Sequence, residues 1–282
     1  MFVIDGICLD DVHSWILDTP KKKQKKIGGV ILLTSTQNSE GHIRVWQKMV
    51  ETLDPLPEKV IFCENDSNDN TLNLIKNWSF PREVISFKSR KKDRDSLYKV
   101  IAKNRQYLLE RARVLKPKFV IYFDDDVFPE DRNFVERLTS HKLDIVGGAY
   151  LRPFGSDGYF VAANWSLNSR LTEFPASVNL KETLRKARRE NLPYLKFSSC
   201  DRRLYKVATV SAGCLCLSSS LIQDRRVNFY PLREDSNGGE EVPEDFGYCL
   251  SAWQCGYEVY LDGDVRLSHL APSPKRRRPW AI

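Results

Sequence analysis

Three consecutive aspartates, Asp124, Asp125 and Asp126, are the residues of this sequence that most clearly suggest chemistry. They stand in the segment YFDDDVFP, directly after an apolar run. Three carboxylates at one place repel one another unless a cation neutralises them, and oxygen-rich clusters of this kind suit Mg²⁺ or Mn²⁺. Such ions leave coordination positions open for water and substrate phosphates. The alternative is an ordinary acidic turn that precedes a helix, and a second acidic loop favours the metal site over it.

The second acidic loop, ENDSNDNT at 64–71, also follows an apolar run of strand length. Apolar runs at 27–34, 59–64 and 118–123 alternate with segments of helical period, which is the signature of βαβ units. The first half of the chain is therefore predicted to form a mainly parallel sheet flanked by helices. Ligands of such sheets bind beyond the carboxyl ends of the strands, so we expect both acidic loops at one edge.

Two further patterns predict helices. After the first strand, one helical face carries Ile43, Trp46, Val50 and Leu53. Near the C-terminus, VPEDFGYCLSAWQCGYEVY has a proline suited to a first helical turn and Gly256 suited to the C-terminal cap. The predicted buried stripe of this second helix is Phe246, Leu250 and Trp253.

A pair of carboxylates, Glu244 and Asp245, would lie in the first turn of that C-terminal helix. There the helix dipole favours the ionised form of a carboxylate. An ionised carboxylate at the mouth of a cleft can accept a proton from a hydroxyl group as that group attacks a substrate. The pair could equally do no more than stabilise the start of the helix, and the two roles are compatible.

Four segments follow one another in an order that resembles a known enzyme family. They are ENDSNDNT, YFDDDVFP, SAGCLCLSSSLI and PEDFGYCLSAWQCGYEVYLDGDVRLSHL. Together, over residues 27–269, they resemble the GT-A-fold nucleotide-sugar glycosyltransferases, especially the large inverting family that includes many polysaccharide and glycolipid synthases. The resemblance implies an α/β fold of the GT-A class, with a Rossmann-like, mainly parallel central sheet flanked by helices.

The resemblance also implies roles for individual residues. Asp245 matches the general base, while Asp126 and His269 match ligands of a divalent ion, Mn²⁺ or Mg²⁺. Arg105 would either contact a phosphate or be a solvated arginine, and the charge of Asp125 is treated as incidental. The residues matched to nucleotide-sugar binding are Thr34, Thr36, Glu64, Asp66, Arg105, Asp124 and Asp125. The other histidines match no motif and are expected to be ordinary polar residues: His13, His42 and His141.

The implied activity is transfer of a sugar from a nucleoside-diphosphate sugar, such as a UDP- or GDP-sugar, to a hydroxyl of a glycan, glycolipid or protein. The ion would neutralise the charge of the leaving diphosphate, and Asp245 would act on the opposite face of the sugar, which inverts the anomeric centre. Retaining GT-A enzymes share the fold, so the sequence leaves inversion open. A QxxRW-type motif is absent because RRRPW lacks the glutamine spacing, and a single addition is therefore expected.

The formal net charge of +7 favours anionic partners. The densest basic runs, KKKQKK at 21–26 and KRRR at 275–278, are expected either to be solvated or to contact an anionic membrane surface. Two other classes of protein share some of these features. A nucleotidyltransferase acting on sugar phosphates usually has a glycine- and basic-rich phosphate loop, which LTSTQNSEGH does not provide. A non-catalytic nucleic-acid-binding protein would have to dock phosphate against acidic clusters, so no nucleic-acid partner is expected.

Cysteine usage and hydropathy indicate the compartment. The seven cysteines form an odd set without a CxxC pair and lie mostly in apolar runs, which favours buried free thiols in a reducing environment. The opening segment MFVIDGICLDDVHSWILD is a poor signal peptide, and no window approaches the ~20 apolar residues of a membrane span. We therefore expect a cytoplasmic protein, with contact at a membrane surface left open.

The expected organisation is one catalytic domain with short additions at both ends. An N-terminal extension with a basic linker occupies 1–26, and the GT-A domain occupies 27–282. Within that domain we expect a nucleotide-binding half at 27–150, an acceptor-binding half at 151–270 and a basic tail at 271–282.

Overall fold

The structure of the protein is a computed structural model. It describes residues 24–87, 97–151, 202–207, 209–229 and 244–269, together with short strands outside these ranges. Several of the sequence predictions therefore lie outside the described residues. They concern residues 21–23 of the basic linker, the basic tail, the proline before the C-terminal helix, and His13.

Strands and helices alternate along the chain, as the sequence predicts. The strands are Val3–Ile4 (β1), Ile7–Cys8 (β2), Val30–Thr36 (β3), Lys59–Asn65 (β4), Arg82–Phe87 (β5), Phe119–Phe123 (β6), Val127–Pro129 (β7), Ile145–Leu151 (β8), Tyr159–Asn164 (β9), Tyr194–Lys196 (β10), Leu204–Lys206 (β11), Cys214–Ser218 (β12), Leu232–Arg233 (β13), Glu241–Val242 (β14) and Val259–His269 (β15). The helices are Ile43–Thr52 (α1), Thr71–Lys76 (α2), Leu97–Leu115 (α3), Phe134–Ser140 (α4), Ser219–Gln223 (α5) and Glu244–Gln254 (α6).

One large sheet runs through the molecule, with the strand order β10-β9-β8-β12-β6-β3-β4-β5. β6, β3, β4 and β5 run parallel to one another, which confirms the prediction for the first half of the chain. The second half adds β12, which runs antiparallel to both β6 and β8. It also adds β15, which is parallel to β8 and antiparallel to β7. The complete sheet is therefore mixed.

Apolar residues cover both faces of this sheet and give an α/β/α arrangement. Because side chains alternate along a strand, Leu33 of β3 faces a core covered by α3 and α6, with Leu108 and Tyr248. Leu32 faces the opposite core, which is covered by α1, α2 and α4 and contains Trp46. All five side chains are fully buried, and burial of a leucine contributes about 1.5–3 kcal/mol. Loss of Trp46 would leave a cavity that costs about 3–5 kcal/mol.

The predicted face of α1 is confirmed, since Ile43, Trp46, Val50 and Leu53 are all fully buried. The first strand begins later than predicted, at Val30. The preceding Gly29 has a φ of +78°, a left-handed conformation that favours glycine.

The buried face of α6 differs from the predicted stripe. Leu250 is buried, but Phe246 and Trp253 are only partly buried, so that prediction was wrong for two of its three residues. The helix is rotated because its first-turn carboxylates also face inward. Its remaining buried residues are Gly247, Tyr248, Cys249 and Ala252.

The predicted C-terminal cap of α6 is present. Gly256 has a φ of +88°. Its N–H donates to the carbonyl of Trp253 at 3.0 Å, and the N–H of Tyr257 donates to the carbonyl of Ala252 at 3.0 Å. This bonding pattern is a Schellman motif.

The cysteines of the described region are free thiols, and all but one are buried. Burial raises the pKa of Cys63 and of Cys249 to about 12, so both thiols are protonated and unreactive near neutral pH. Among the described residues, no helix is both long and apolar enough to cross a membrane.

Candidate active site

The three aspartates form a tight turn at the carboxyl end of β6, which we call the acidic turn (residues 124–126). The carbonyl of Asp124 accepts hydrogen bonds from the N–H of Val127 at 3.3 Å and from the indole Nε1 of Trp46 at 3.1 Å. The N–H of Asp124 donates to the carbonyl of Gly213 at 3.0 Å. Trp46 packs against aromatic rings of β4 and β6, so the aromatic core fixes the backbone of the turn.

Asp125, the middle aspartate, points into the protein and is 7% exposed. The hydroxyl of Thr36, the last residue of β3, donates a hydrogen bond to Asp125 Oδ2. His42 Nε2 lies 3.6 Å from Asp125 Oδ1. The carboxylate of Asp125 therefore connects the acidic turn to the loop that follows β3, a structural role that its sequence position did not suggest.

The last residue of β15, His269, reaches the acidic turn. The antiparallel register places His269 opposite Val127, and its Nε2 lies 3.5 Å from Asp126 Oδ2. Burial raises the pKa of Asp126 to about 6; His269 opposes this rise, while the two neighbouring aspartates add to it. The protein therefore only partly compensates the negative charge of the turn.

A divalent cation fits the chemistry of Asp126 and His269. Carboxylates suit Mg²⁺ and Mn²⁺, and imidazole suits first-row transition-metal ions, so this donor set is compatible with a divalent ion such as Mn²⁺. The residues that the structure describes contain no group of three or more His, Cys, Asp and Glu side chains arranged for a metal ion. Water and substrate phosphates would have to supply the other ligands, as is usual for such ions.

Arg105, in α3, connects the acidic turn to the N-terminus of α6. It is 5% exposed. Its Nη2 donates to Asp124 Oδ2 at 3.1 Å, its Nε to Glu244 Oε1 at 3.0 Å and its Nη1 to the carbonyl of Ala212 at 2.9 Å. Burial disfavours the charge of Arg105, but Asp124, Glu244 and Asp245 outweigh it and raise its pKa. Arg105 is thus a buried cation in contact with protein acceptors, and the solvated alternative was wrong.

The first turn of α6 holds Glu244 and Asp245, both buried. Asp245 Oδ2 accepts a hydrogen bond from the N–H of Ala212 at 3.3 Å, and its Oδ1 accepts one from the N–H of Phe246 at 2.8 Å. Burial, followed by the charge of Asp245, raises the pKa of Glu244 to about 7 despite the nearby Arg105. The carboxylate of Glu244 faces the arginine, whereas that of Asp245 is held by backbone amides and retains lone pairs that could accept a proton.

The two predicted residues after β4 differ in environment. Glu64 is 1% exposed; its Oε1 accepts from the N–H of Ser67 at 2.6 Å and its Oε2 from the hydroxyl of Ser86 at 2.8 Å. Asp66 is exposed, in a left-handed conformation with a φ of +50°. Since Thr36 pairs with Glu64 across β3 and β4, this loop lies beside the acidic turn. Of the two carboxylates, only that of Asp66 is open to a ligand.

The loops after β3 and β4 are held together by backbone and side-chain hydrogen bonds. The N–H of Asn38 donates to the Ser67 hydroxyl at 2.9 Å, and the N–H of Ser39 donates to Thr71 Oγ1 at 2.7 Å. Thr34 lies deeper in β3, fully buried, and its hydroxyl has no hydrogen-bond partner within the described part of the chain. The edge of the sheet is thus a preformed polar surface.

Side-chain contacts thus bring together Thr36, Arg105, the acidic turn and His269, and the backbone of Ala212 links Arg105 to Asp245. Sequence reasoning missed His42 as a contributor to this cluster, and it named Glu244 in the first-turn pair without predicting its partner. His42 follows the first strand, so its loop was a signal for the same sheet edge. Glu244 and Arg105 are 139 residues apart, and no local pattern predicts their pairing. His141 contacts Asp262 at 2.7 Å, as expected of an ordinary polar residue.

No protein-family model matches the sequence, and no curated protein matches it either. Solved structures do resemble the fold. The structure of GalNAc-T7 with UDP, GalNAc and Mn²⁺ gives a TM-score of 0.53 at 15% identity, covering 87% of this chain and 44% of that chain. Staphylococcus aureus TarS 1-349 gives 0.52 at 15% identity, covering 85% and 60%. The mannosyltransferase PcManGT from Pyrobaculum calidifontis, in complex with GDP-Man and Mn²⁺, gives 0.50 at 14% identity, covering 92% and 62%.

This chain spans less than two thirds of the length of each of these proteins. At such low identity the likeness concerns the arrangement of strands and helices. That arrangement extends over most of this chain, including the mixed sheet on which the acidic turn lies. The chain therefore has the GT-A fold that its sequence predicted.

Proposed function

We propose that the protein is a metal-dependent glycosyltransferase, which transfers a sugar from a nucleoside-diphosphate sugar to an acceptor hydroxyl. The observation that carries this proposal is the meeting of the acidic turn, His269 and the first turn of α6 at one edge of a GT-A sheet. The structural neighbours GalNAc-T7 and PcManGT were solved with UDP or GDP-Man and with Mn²⁺. They support a UDP- or GDP-sugar donor for this chain.

The donor would bind across the loops after β3 and β4 and the acidic turn. Asp66 would contact the base because its carboxylate is exposed beside the turn, and Asp124 would face the ribose or a metal-bound water. Glu64 would contribute by ordering the loop that carries Asp66. Of the other residues matched to donor binding, Thr36, Glu64 and Asp125 would support the loops around the donor. Thr34 and Arg105 are buried, and neither is assigned a donor contact.

Asp126 and His269 would hold the divalent ion. When bound, a divalent ion supplies positive charge that stabilises the leaving nucleoside diphosphate. The chain itself supplies a carboxylate from the acidic turn and an imidazole from β15, and the other two carboxylates of the turn lie beside them. Asp125, anchored by Thr36 and lying beside His42, would keep the turn in the conformation that presents Asp126.

Asp245 would act as the general base. In this mechanism it takes the proton of the acceptor hydroxyl while the acceptor oxygen forms a bond to the anomeric carbon. The bond between that carbon and the diphosphate oxygen breaks on the opposite face of the sugar, so the anomeric configuration is inverted. We expect a single addition to a glycan, glycolipid or protein.

The proposed roles fall into the two halves of the catalytic domain. The nucleotide-binding half, 27–150, would supply the acidic turn, and the acceptor-binding half, 151–270, would supply the base on α6 and His269. The N-terminal extension 1–26 and the tail 271–282 would lie outside the chemistry. Their basic runs would serve contact with an anionic membrane surface if the acceptor is a lipid-linked sugar.

Isothermal calorimetry with UDP- and GDP-sugars, each with and without Mn²⁺, tests the proposal directly. The wild type is expected to bind one nucleotide family only when Mn²⁺ is present, and Asp126→Ala is expected to lose that binding. Asp131→Ala is the matched control, because Asp131 is an exposed aspartate of the same segment, outside the acidic turn. Metal-independent binding, or equal binding by Asp126→Ala and the wild type, would contradict the proposed site.

A further inference from the structure

We propose that Arg105 is a positioning residue that fixes the general base Asp245 relative to the acidic turn. This inference rests on the proposed function, because it assigns a role in the reaction to a side chain that does not touch the substrate. Glu244 supports this role, because its carboxylate holds Arg105 in place. It does not take the proton of the acceptor.

The guanidinium of Arg105 joins two elements that the proposed reaction must hold in register. One nitrogen contacts Asp124 on the donor side, at 3.1 Å. Another contacts Glu244 on the acceptor side, at 3.0 Å. Side chains of Arg105 and Glu244 are 6% and 5% exposed, so water does not screen the pair appreciably. The rigid fork of an arginine suits this task, since it holds several acceptors in fixed directions.

The third contact of Arg105 leads to the base itself. Its Nη1 donates to the carbonyl of Ala212 at 2.9 Å. The N–H of the same residue, Ala212, donates to Asp245 Oδ2 at 3.3 Å. A shift of Arg105 would therefore move the backbone that orients the Asp245 carboxylate. Misplacement of a reacting group by about 1 Å can cost on the order of 100-fold in rate.

Tyr122 contacts both the backbone and the guanidinium of Arg105. The hydroxyl of Tyr122 donates to the backbone carbonyl of Arg105 at 2.8 Å. The guanidinium carbon lies 5.8 Å from the centre of the Tyr122 ring, which is fully buried. A cation over an aromatic face is attracted to it. The positioning residue is thus rigid before any substrate binds, as a preorganised site requires.

A second arginine of the same helix provides a matched control. Arg113 is also 5% exposed and fully engaged, but its acceptors include the backbone carbonyls of Ile222, Asp224 and Val227. A purely structural role for Arg105 would make the two arginines equivalent. Replacement of either would then lower stability and leave the rate constant of the folded protein unchanged.

The test compares Arg105→Lys and Arg105→Gln with Arg113→Lys, using a donor and metal identified with the wild type. For each variant, kcat, the KM and calorimetric Kd of the donor, and the folded fraction from circular dichroism are measured. We expect kcat per folded molecule to fall about 100-fold in Arg105→Gln and less in Arg105→Lys. The donor Kd should change less than about fivefold, and Arg113→Lys should keep the wild-type kcat.

Glu244→Gln and Asp245→Asn complete the design and do not depend on replacing the arginine. In Glu244→Gln the amide oxygen of the introduced side chain could still accept from Arg105 Nε, so this variant should lose less than about tenfold in kcat. Asp245→Asn should lose at least about 100-fold, because it removes the base. If folded Arg105→Gln keeps the kcat of the wild type, or if Glu244→Gln loses as much as Asp245→Asn, the positioning role is wrong. If the wild type itself neither binds nor turns over a nucleotide-sugar, the proposed function is wrong, and the inference is overturned with it.

Discussion

Arg105 and Arg113 lie eight residues apart on α3 and are equally buried, yet they serve different parts of the molecule. Arg105 faces the carboxylates of Asp124 and Glu244. Arg113 faces the end of α5 and the loop after it, where its Nε donates to the carbonyl of Ile222 at 2.8 Å and its Nη2 to that of Val227 at 2.9 Å. Its Nη1 also pairs with the partly exposed Glu110 at 2.6 Å. The first arginine thus binds ionisable groups, and the second mainly binds neutral peptide groups.

The difference teaches how to distinguish a functional buried charge from a structural one. Backbone carbonyls that accept from Arg113 can do nothing else, so their contacts hold a loop. The carboxylates gathered around Arg105 can instead gain or lose a proton, since burial raises the pKa of Glu244 to about 7 and also raises that of Asp124. Perturbed acids beside a specific charged partner are typical of active sites. On the same helix, Arg105 therefore contacts the acids of the candidate active site, whereas Arg113 holds a loop in place.

The largest effect is expected in the candidate active site, from Asp245→Asn. Loss of a general base lowers rates by about 10²–10⁴-fold, and we expect a decrease of kcat in that range. The asparagine Oδ1 can still accept from one of the amides of Ala212 and Phe246, but the other amide loses its acceptor, so the free energy of unfolding should fall by about 1–3 kcal/mol. Steady-state kinetics and urea unfolding measure the two quantities. A normal kcat in a folded variant would remove Asp245 from the mechanism.

Arg113→Met should have the opposite profile, with lower stability and unchanged activity. It removes the arginine donor from the backbone carbonyls of Ile222, Asp224 and Val227, and each unsatisfied buried group costs about 1–3 kcal/mol. We expect the free energy of unfolding to fall by about 3 kcal/mol or more. Activity per folded molecule should match the wild type when it is measured below the unfolding transition. A specific loss of kcat would show that the roles of Arg105 and Arg113 are not separated in this way.

The pH dependence of stability sharpens the comparison at Glu244. The folded pKa of this acid is raised to about 7, above its ordinary value. The corresponding contribution to stability is therefore complete below about pH 4.5 and is lost as the pH rises through 7. Glu244→Gln lacks this titration, so its stability relative to the wild type should improve by about 3 kcal/mol between pH 4.5 and pH 8. Chemical denaturation at several pH values measures the difference, and two parallel pH profiles would contradict the raised pKa.

The smallest effect is expected from a partly exposed arginine of the same helix, Arg111. It pairs with Glu83 at 2.5 Å, and Lys59 lies 3.4 Å from the same acid. Burial works against the ionised form, but hydrogen bonds from Arg111 and Lys59 lower the pKa of Glu83. Its contribution is therefore present above the ordinary glutamate pKa and is lost as the pH falls below it. Because exposed pairs are worth little, Glu83→Gln should shift the melting temperature by less than about 3 °C at pH 7.

That shift should shrink further in high salt, which screens exposed pairs. A large, salt-independent loss of stability in Glu83→Gln would mean that exposure does not separate Arg111 from the two buried arginines. Differential scanning calorimetry at low and high ionic strength gives both values.

Much of the fold could be predicted because its signals are local. Apolar runs and helical stripes located β3, β4, β6 and α1 to within a few residues, and they placed the acidic turn at a strand end. Tertiary packing determined what remained. The rotation of α6 depends on Glu244 and Asp245 turning inward, and this outcome follows from a partner on α3 rather than from the helical period of α6.

The candidate site was predictable in its residue types and less so in its contacts. Asp126 and His269 meet because β15 reaches β7 in antiparallel register after a shift in its pairing with β8. No sequence pattern specifies such a shift. The pairing of Arg105 with Glu244 and the approach of His42 to Asp125 likewise join distant parts of the chain. Long-range contacts of this kind appear only when the sheet is assembled.

The central claim is that the acidic turn supports metal-dependent sugar transfer. Release of nucleoside diphosphate from UDP- and GDP-sugars, measured with Mn²⁺ and with chelator for the wild type and Asp126→Ala, tests this claim most directly. We predict that the wild type releases the diphosphate of one nucleotide family only with Mn²⁺, and that Asp126→Ala shows none above background. Equal release by the two proteins, or release that survives chelation, would contradict the claim.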